Sequence, residues 1–308
     1  MNIQDMENQF AIGVDIGGSH ITSSVVDLSQ YRILSGTRCS KTVNNKADKE
    51  EILKDWAEAI NRTIANSPIS KIANIGFAMP GPFDYKTGLA LFKGNDKFDG
   101  LYNVSIPDEF PAYIKGVRST NFRFMNDATS FGVGASVMGR AKDHSKVLAI
   151  TLGTGFGSAF IRDGIPLINE EGVPEGGWLW DKPYKDGIGD DYFSTRWCLK
   201  RYQQISYRQV QGVKEIAEID NEHTRALFEE FGSNMAEFMI PFLLRFKPDL
   251  IILGGNISKA QNFFLPTLMS KIRDTGLHME FRISELMEDA AIIGSAKLFE
   301  PNFWARIK

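Results

Sequence analysis

Apolar and β-branched residues in this chain cluster in short runs stopped by glycine, with longer stretches of three-to-four spacing between them. Phe10-Ala11-Ile12-Gly13-Val14-Asp15 reads as a strand, Gly17-Gly18 as a turn, and Ile21-Thr22-Ser23-Ser24-Val25-Val26-Asp27 as the returning strand, which predicts a β-hairpin. Between Lys49 and Ile64, the positions Ile52, Leu53, Trp56, Ile60 and Ile64 mark an amphipathic helix. Ile72 to Ala78 predicts another strand, ended by Pro80-Gly81-Pro82, and Phe122 to Met125 a short one running into Asn126-Asp127. The second half opens the same way: strand Val147–Leu152, glycine turn Gly153-Thr154-Gly155-Phe156-Gly157, strand Ser158–Ile161. Two hairpins of one design suggest an internal duplication. Leu250-Ile251-Ile252-Leu253, an unbroken apolar run before Gly254-Gly255, predicts a buried strand. Met235, Phe238, Met239, Phe242 and Leu243 fit the buried face of a helix.

Composition narrows the class. The chain has 308 residues, a soft prior for two domains, and 43% hydrophobic with 24% charged residues, the balance of a globular protein. No low-complexity linker divides the halves, so domains sharing a cleft are expected. Lys and Arg total 35 against 38 Asp and Glu, a net charge of -3, which lacks the field of a nucleic-acid or anionic-membrane binder. Met235 to Phe246, broken by Glu237, Pro241 and Arg245, is too short and too charged to span a bilayer. The N-terminus shows no basic region followed by an apolar core. Cys39 and Cys198 form no C-x-x-C pair, which suits a reducing compartment. A cytoplasmic protein is expected. His20, His144, His223 and His278 have no metal-binding spacing.

Four features carry candidate chemistry. In Asp15-Ile16-Gly17-Gly18-Ser19, bare glycines let backbone N–H groups approach a polyanion and tolerate the positive φ of an anion nest, and Asp15 can hold Mg²⁺ through water; an ordinary hairpin turn is the plain alternative. Gly153-Thr154-Gly155 is no dinucleotide fingerprint, because β-type residues rather than a helix follow, and no Walker A, because no Lys-Ser/Thr closes it. A second phosphate turn remains, with Thr154 adding a hydroxyl. Asn126-Asp127 stands between strand and helix, where Asp127 can be an N-cap or a general base. At Gly254-Gly255-Asn256 the missing side chains leave room for a purine or ribose, with a simple strand-to-helix turn as the plain alternative.

Taken in order, the four features resemble the ROK family of the actin-like sugar kinase superfamily, from Ile12 to about Phe299. D-x-G-G-[ST] corresponds to Asp15–Ser19, N-D-A to Asn126-Asp127-Ala128, L-G-T-G-x-G to Leu152–Gly157, and the adenosine motif to Leu253-Gly254-Gly255. Pro80-Gly81-Pro82 is similar to the strand exit beside the family's sugar site, and Ala290–Ala296 to its closing helix. The resemblance implies an α/β fold of two actin-like (ribonuclease H-like) domains with a cleft between them, residues 1–127 completed by 291–308, and residues 128–290. It implies a kinase transferring phosphate from ATP with Mg²⁺ to a hexose hydroxyl, most readily the primary one, with Asp127 as base. Sugar contacts carried over are Gly81, Asn95, Asn126, Asp127, Glu175, Trp178 and Asp190. Trp178 replaces the histidine of the family's E-x-G-H, and Lys185–Asp190 lacks the zinc-binding cysteines, so no structural zinc is expected and Trp178, Trp180 and Tyr184 are expected to supply aromatic packing. A polyphosphate donor, an amino-sugar acceptor and a non-catalytic sugar-sensing regulator are the alternatives. The family's repressors carry a winged-helix domain, for which the fourteen residues before Asp15 are too few. A homodimer is a family-based expectation.

Overall fold

A computed structural model describes residues 9–69, 72–94, 97–116 and 120–308. It divides into two compact units, one running to Lys142 and including Glu288–Lys308, the other Asp143–Met287.

In the first unit, β1 (Phe10–Ile16) and β2 (His20–Asp27) form the expected antiparallel hairpin, with Asp15 opposite Thr22. The short strands β3 (Arg32–Ile33) and β4 (Cys39–Thr42) both pair with β2. On the other side β1 runs parallel to β5 (Asn74–Met79), and β5 parallel to β8 (Asn121–Asn126); β6 (Phe83–Asp84) and β7 (Leu89–Ala90) make a separate small hairpin. Helix α1 (Lys49–Ala65) packs on the hairpin; Asp48 caps it by accepting from the Glu51 N–H at 2.9 Å, and Trp56 is buried edge-on against Phe98. The closing helix, Glu288–Ala296, packs against β1, β5 and α2 (Asp127–Met138). Every residue from Ala290 to Ala296 is buried. Glycine permits that approach: a Cβ at Gly13 would overlap the carbonyl oxygen of Ile292, at Gly76 that of Ser295, at Gly134 that of Ala290, and at Gly294 that of Ser130. The contact between α2 and the closing helix is why the units separate after Lys142, whereas the sequence suggested a boundary at Asp127.

The second unit repeats the plan. β9 (Lys146–Leu152) and β10 (Phe156–Arg162) are an antiparallel hairpin edged by β11 (Ile165–Pro166). β9 runs parallel to β14 (Leu250–Gly254), and β14 to β15 (Glu280–Ile283); β12 (Pro183–Tyr184) and β13 (Gly187–Ile188) pair with each other. An edge strand, a hairpin and two parallel strands thus recur in the same order, as a duplication predicts. The longer helices are α3 (Thr195–Ser206), α4 (Glu222–Phe246) and α5 (Gln261–Arg273). Of the five apolar residues expected on one buried face of α4, Met235, Phe238, Met239 and Leu243 are buried, while Phe242 is partly exposed. Among the described residues no helix is long and apolar enough to cross a membrane.

Candidate active site

In the first unit the candidate residues gather at the carboxyl ends of three parallel strands, where open α/β sheets place their ligand sites. Asp15, next to last in β1, lies beside Ala78 of β5, and Met79 of β5 beside Asn126 at the end of β8. Asn126, not Asp127, is the N-cap of α2: its backbone is extended (φ -56°, ψ 145°) and its Oδ1 accepts from the Thr129 N–H at 3.2 Å. Asp127 is therefore the first helical residue, and its Oδ1 accepts from the adjacent Ala128 N–H at 2.8 Å. The strand-to-helix transition falls one residue earlier than a capping Asp127 would need, so the helix does not depend on this carboxylate.

Asp127 and Asp15 are half-buried as residues, with their carboxyl groups crowded by surrounding atoms. Burial pushes the Asp127 carboxyl above its usual range, against the opposing pull of the Ala128 N–H and the Lys97 ammonium. Asp15 is raised to about 7, first by burial, then by the charges of Asp127 and Glu288, with His20 and Arg38 opposing. Glu288, at the start of the closing helix, accepts from Arg38 Nη2 at 2.9 Å and pairs with His20 Nε2 at 3.2 Å, which raises the His20 pKa. Tyr85 donates its hydroxyl to the Met79 carbonyl at 3.2 Å and accepts from Asn126 Nδ2 at 3.2 Å; burial raises its pKa. Gly81 lies within 3.5 Å of that hydroxyl, measured from an added Cβ. In the hairpin turn, the Gly17 N–H donates to the His20 carbonyl at 2.9 Å and Asn45 donates to the Gly18 carbonyl. A Cβ on Gly17 would come within 3.0 Å of the His20 ring, and one on Gly18 within 3.5 Å of Lys97. Ser19 follows directly, an exposed residue.

The second unit builds its turn differently. The Gly153 N–H donates to the Gly155 carbonyl at 3.0 Å, and Thr195, at the start of α3, donates its N–H (2.8 Å) and hydroxyl (2.9 Å) to the Gly153 carbonyl. Thr154 is exposed at the tip. Asp190, expected beside the sugar, directs its carboxylate to this turn: Oδ1 accepts from the Phe156 N–H at 2.7 Å and Oδ2 pairs with Arg196 at 2.6 Å. A Cβ on Gly155 would sit 2.9 Å from Asp190 Oδ1. Of the turn glycines only Gly255 has a left-handed backbone (φ 82°), so the positive φ expected at Gly17 and Gly18 is absent. Lack of a Cβ is what Gly17 and Gly155 use, whereas a Cβ at Gly153 would meet nothing within 4 Å. Gly254 ends β14 beside Thr151, a Cβ on Gly255 would overlap the Leu152 carbonyl oxygen, and Asn256 accepts from Lys259 at 3.0 Å.

Glu175 is exposed in a short turn over Glu175–Gly177, and Trp178 is half-buried with its Nε1–H donating to Asp181 at 3.2 Å. The Leu179 N–H, donating to the Ser158 hydroxyl at 2.8 Å, ties this segment to β10. Tyr184 supplies the expected aromatic packing, edge-on to Tyr192 and Phe238. Trp180 does not: it is 45% exposed, because the turn that buries Leu179 points its neighbour outward. Asn95 lies outside the described residues. Tyr85, Lys97, Glu288 and Arg196 escaped the sequence reading, and His20 was read there only for its lack of metal-binding spacing, since isolated polar residues carry no periodic signal.

The sequence profile of the ROK family matches residues 11–301. The glucokinase of Thermotoga maritima is 26% identical, over 94% of this chain and 96% of its own length. The xylose repressor of Bacillus subtilis is 22% identical, over 96% of this chain and 78% of its own. The crystal structure of a ROK family glucokinase from Streptomyces griseus in complex with glucose and AMPPNP superposes with a TM-score of 0.74 at 21% identity, covering 94% of this chain and 98% of that one.

Proposed function

The chain belongs to the ROK family, and on that premise we propose that it is a sugar kinase moving the terminal phosphoryl group of ATP to a hexose hydroxyl, with Asp127 as general base. The observation that carries this reading is the state of Asp127: a crowded carboxyl of raised pKa, not needed as a cap, at the carboxyl ends of parallel strands beside Asp15. A carboxylate in that environment accepts a proton more readily than one in water. Asp127 takes the proton of the primary hydroxyl as that oxygen forms its bond to the γ-phosphorus. The bond from phosphorus to the bridging oxygen breaks, and ADP leaves with the electron pair. Asn126, Gly81, Glu175 and Trp178 bound the sugar in this reading. The turns at Gly17-Gly18-Ser19 and Gly153-Thr154-Gly155 hold the phosphates, and Gly254-Gly255-Asn256 the nucleoside. Fixed backbone dipoles of this kind stabilise charge that spreads in the transition state.

Magnesium fits the donor set. Among the described residues no group of three or more His, Cys, Asp or Glu side chains encloses a metal. A phosphate-bound Mg²⁺ needs only one or two carboxylates plus water, and the repulsion among Asp15, Asp127 and Glu288 is charge that such an ion relieves. Asp15 would hold it, and the ion would neutralise phosphate charge.

The test is a coupled assay of a hexose panel, amino sugars included, with ATP-Mg²⁺ and polyphosphate in parallel. Phosphorylation of one sugar is expected. The match to a xylose repressor favours a second reading, a sugar-responsive regulator. Sugar binding without turnover on either donor would replace the kinase with that reading.

Asp15 also gives a pH prediction. Its carboxyl titrates near 7 in the folded chain against the model-compound 3.8, so the fold holds a proton that the unfolded chain releases. The stability contributed by that proton is complete below the unfolded value and lost as pH rises through the folded one. In EDTA at pH 8, Asp15→Asn should therefore raise Tm by at least ~2–4 °C, the shift about 1 kcal/mol produces in a domain of this size. The gain should shrink toward pH 5. Thermal melts giving an equal gain at both pH values would contradict it.

A further inference from the structure

One cation stands at the glycine turn of the second unit without a part in the scheme above. Arg196 is the second residue of α3, and its side chain is 61% exposed. Nη2 donates to Asp190 Oδ2 at 2.6 Å, and Nη1 reaches the Thr154 carbonyl at 3.5 Å, so the guanidinium lies against the tip of the turn. We propose that Arg196 contacts the phosphates of the donor at this turn, with Asp190 as the residue that positions it. This rests on the kinase reading and adds the side chain that recognises the donor.

Three observations support the assignment. Asp190 uses its other oxygen to accept from the Phe156 N–H, immediately after the turn, so one carboxylate fixes both the turn's backbone and the guanidinium. Thr195, the preceding residue, is bonded twice to the Gly153 carbonyl, which anchors the start of α3 on the same turn. The guanidinium keeps further N–H groups beyond these two contacts on a side chain that is 61% exposed, and an arginine fork binds phosphate oxygens bidentately. The Asp190 charge is shared between an N–H and the guanidinium, so an incoming polyanion meets the cation outermost. The triphosphate of a nucleotide and inorganic polyphosphate present the same chemistry here.

Steady-state kinetics of Arg196→Ala, Arg196→Lys and Asp190→Asn test this, with sugar and donor varied separately for ATP-Mg²⁺ and for polyphosphate. Arg196→Ala should raise the KM for the donor about tenfold or more, the value of a charge-assisted hydrogen bond. The KM for sugar and the melting temperature should stay as in the wild type. Arg196→Lys should recover part of the loss, and Asp190→Asn should raise the donor KM by a smaller factor. The donor that shows the larger loss is the one Arg196 serves. An active wild type with an unchanged donor KM in Arg196→Ala overturns the proposal and leaves the kinase standing. A rise confined to the sugar KM in Asp190→Asn overturns the positioning role. If the wild type transfers no phosphate, the kinase reading fails separately. Calorimetric binding of ATP and tripolyphosphate to wild type and Arg196→Ala then decides, weaker binding to the variant supporting the contact and equal binding overturning it.

Discussion

Asp127→Ala should lower kcat by at least about 10²-fold, the usual contribution of a positioned base, while the protein keeps its fold. Separation of these effects follows from the local geometry. Asn126 caps α2, so the helix keeps its first bond when the Asp127 carboxylate goes. Removing the acid also relieves the charge it places on Asp15. The opposing loss, a negative charge in the first turn of a helix, is about 0.3–1 kcal/mol. Melting temperature should thus stay within a few degrees of wild type or rise. Asn126→Ala is the contrasting variant: it removes the cap, about 1 kcal/mol, together with the hydrogen bond to Tyr85. Turnover by coupled assay beside thermal melts checks both variants. Unchanged turnover in Asp127→Ala would take this residue out of the mechanism.

Gly294→Val should destabilise the first unit by about 3 kcal/mol or more, the upper part of the range for overpacked cores. A Cβ at Gly294 would overlap the Ser130 carbonyl oxygen of α2, and one at Gly134 the Ala290 carbonyl oxygen of the closing helix. In both cases the obstacle is backbone, which no rotamer change can clear. The two helices would have to separate along a seam where Ala290 to Ala296 are all buried. Separation would also displace Glu288, the partner of His20 and Arg38, so activity should fall with stability. Because Gly134 and Gly294 serve the same seam, a Gly134→Ala, Gly294→Ala pair should cost less than the sum of the singles. Urea unfolding measures this. A Gly294→Val midpoint equal to that of the wild type would show that the seam can yield.

Much of this was legible in the residues. Each hairpin showed as a glycine turn between β-branched runs, and the buried strand β14 as four apolar residues in a row, because those signals are local. The closing helix showed only through the resemblance of Ala290–Ala296 to that of the family, and the glycine contacts along its seam did not show at all. The choice between Asn126 and Asp127 as cap was not legible, because both side chains cap helices well and only the backbone angles at Asn126 decide. Glu288 reaches His20 across 268 positions, a contact that no window of one sequence contains. Asp190 was legible as a candidate sugar contact, but its hydrogen bond to the Phe156 N–H at the turn spans 34 positions and leaves no pattern in the residues. The first glycine turn was found for a reason that holds only in part, since room for the His20 ring, rather than a left-handed backbone, is what Gly17 provides.

The most direct test is a crystal structure with a phosphorylatable hexose and a non-hydrolysable ATP analogue. It should show the analogue's phosphates on the backbone of both Gly17-Gly18 and Gly153-Gly155, with a sugar hydroxyl within about 3 Å of an Asp127 carboxylate oxygen. Phosphates bound away from either turn, or a sugar whose hydroxyls all avoid Asp127, would contradict the account.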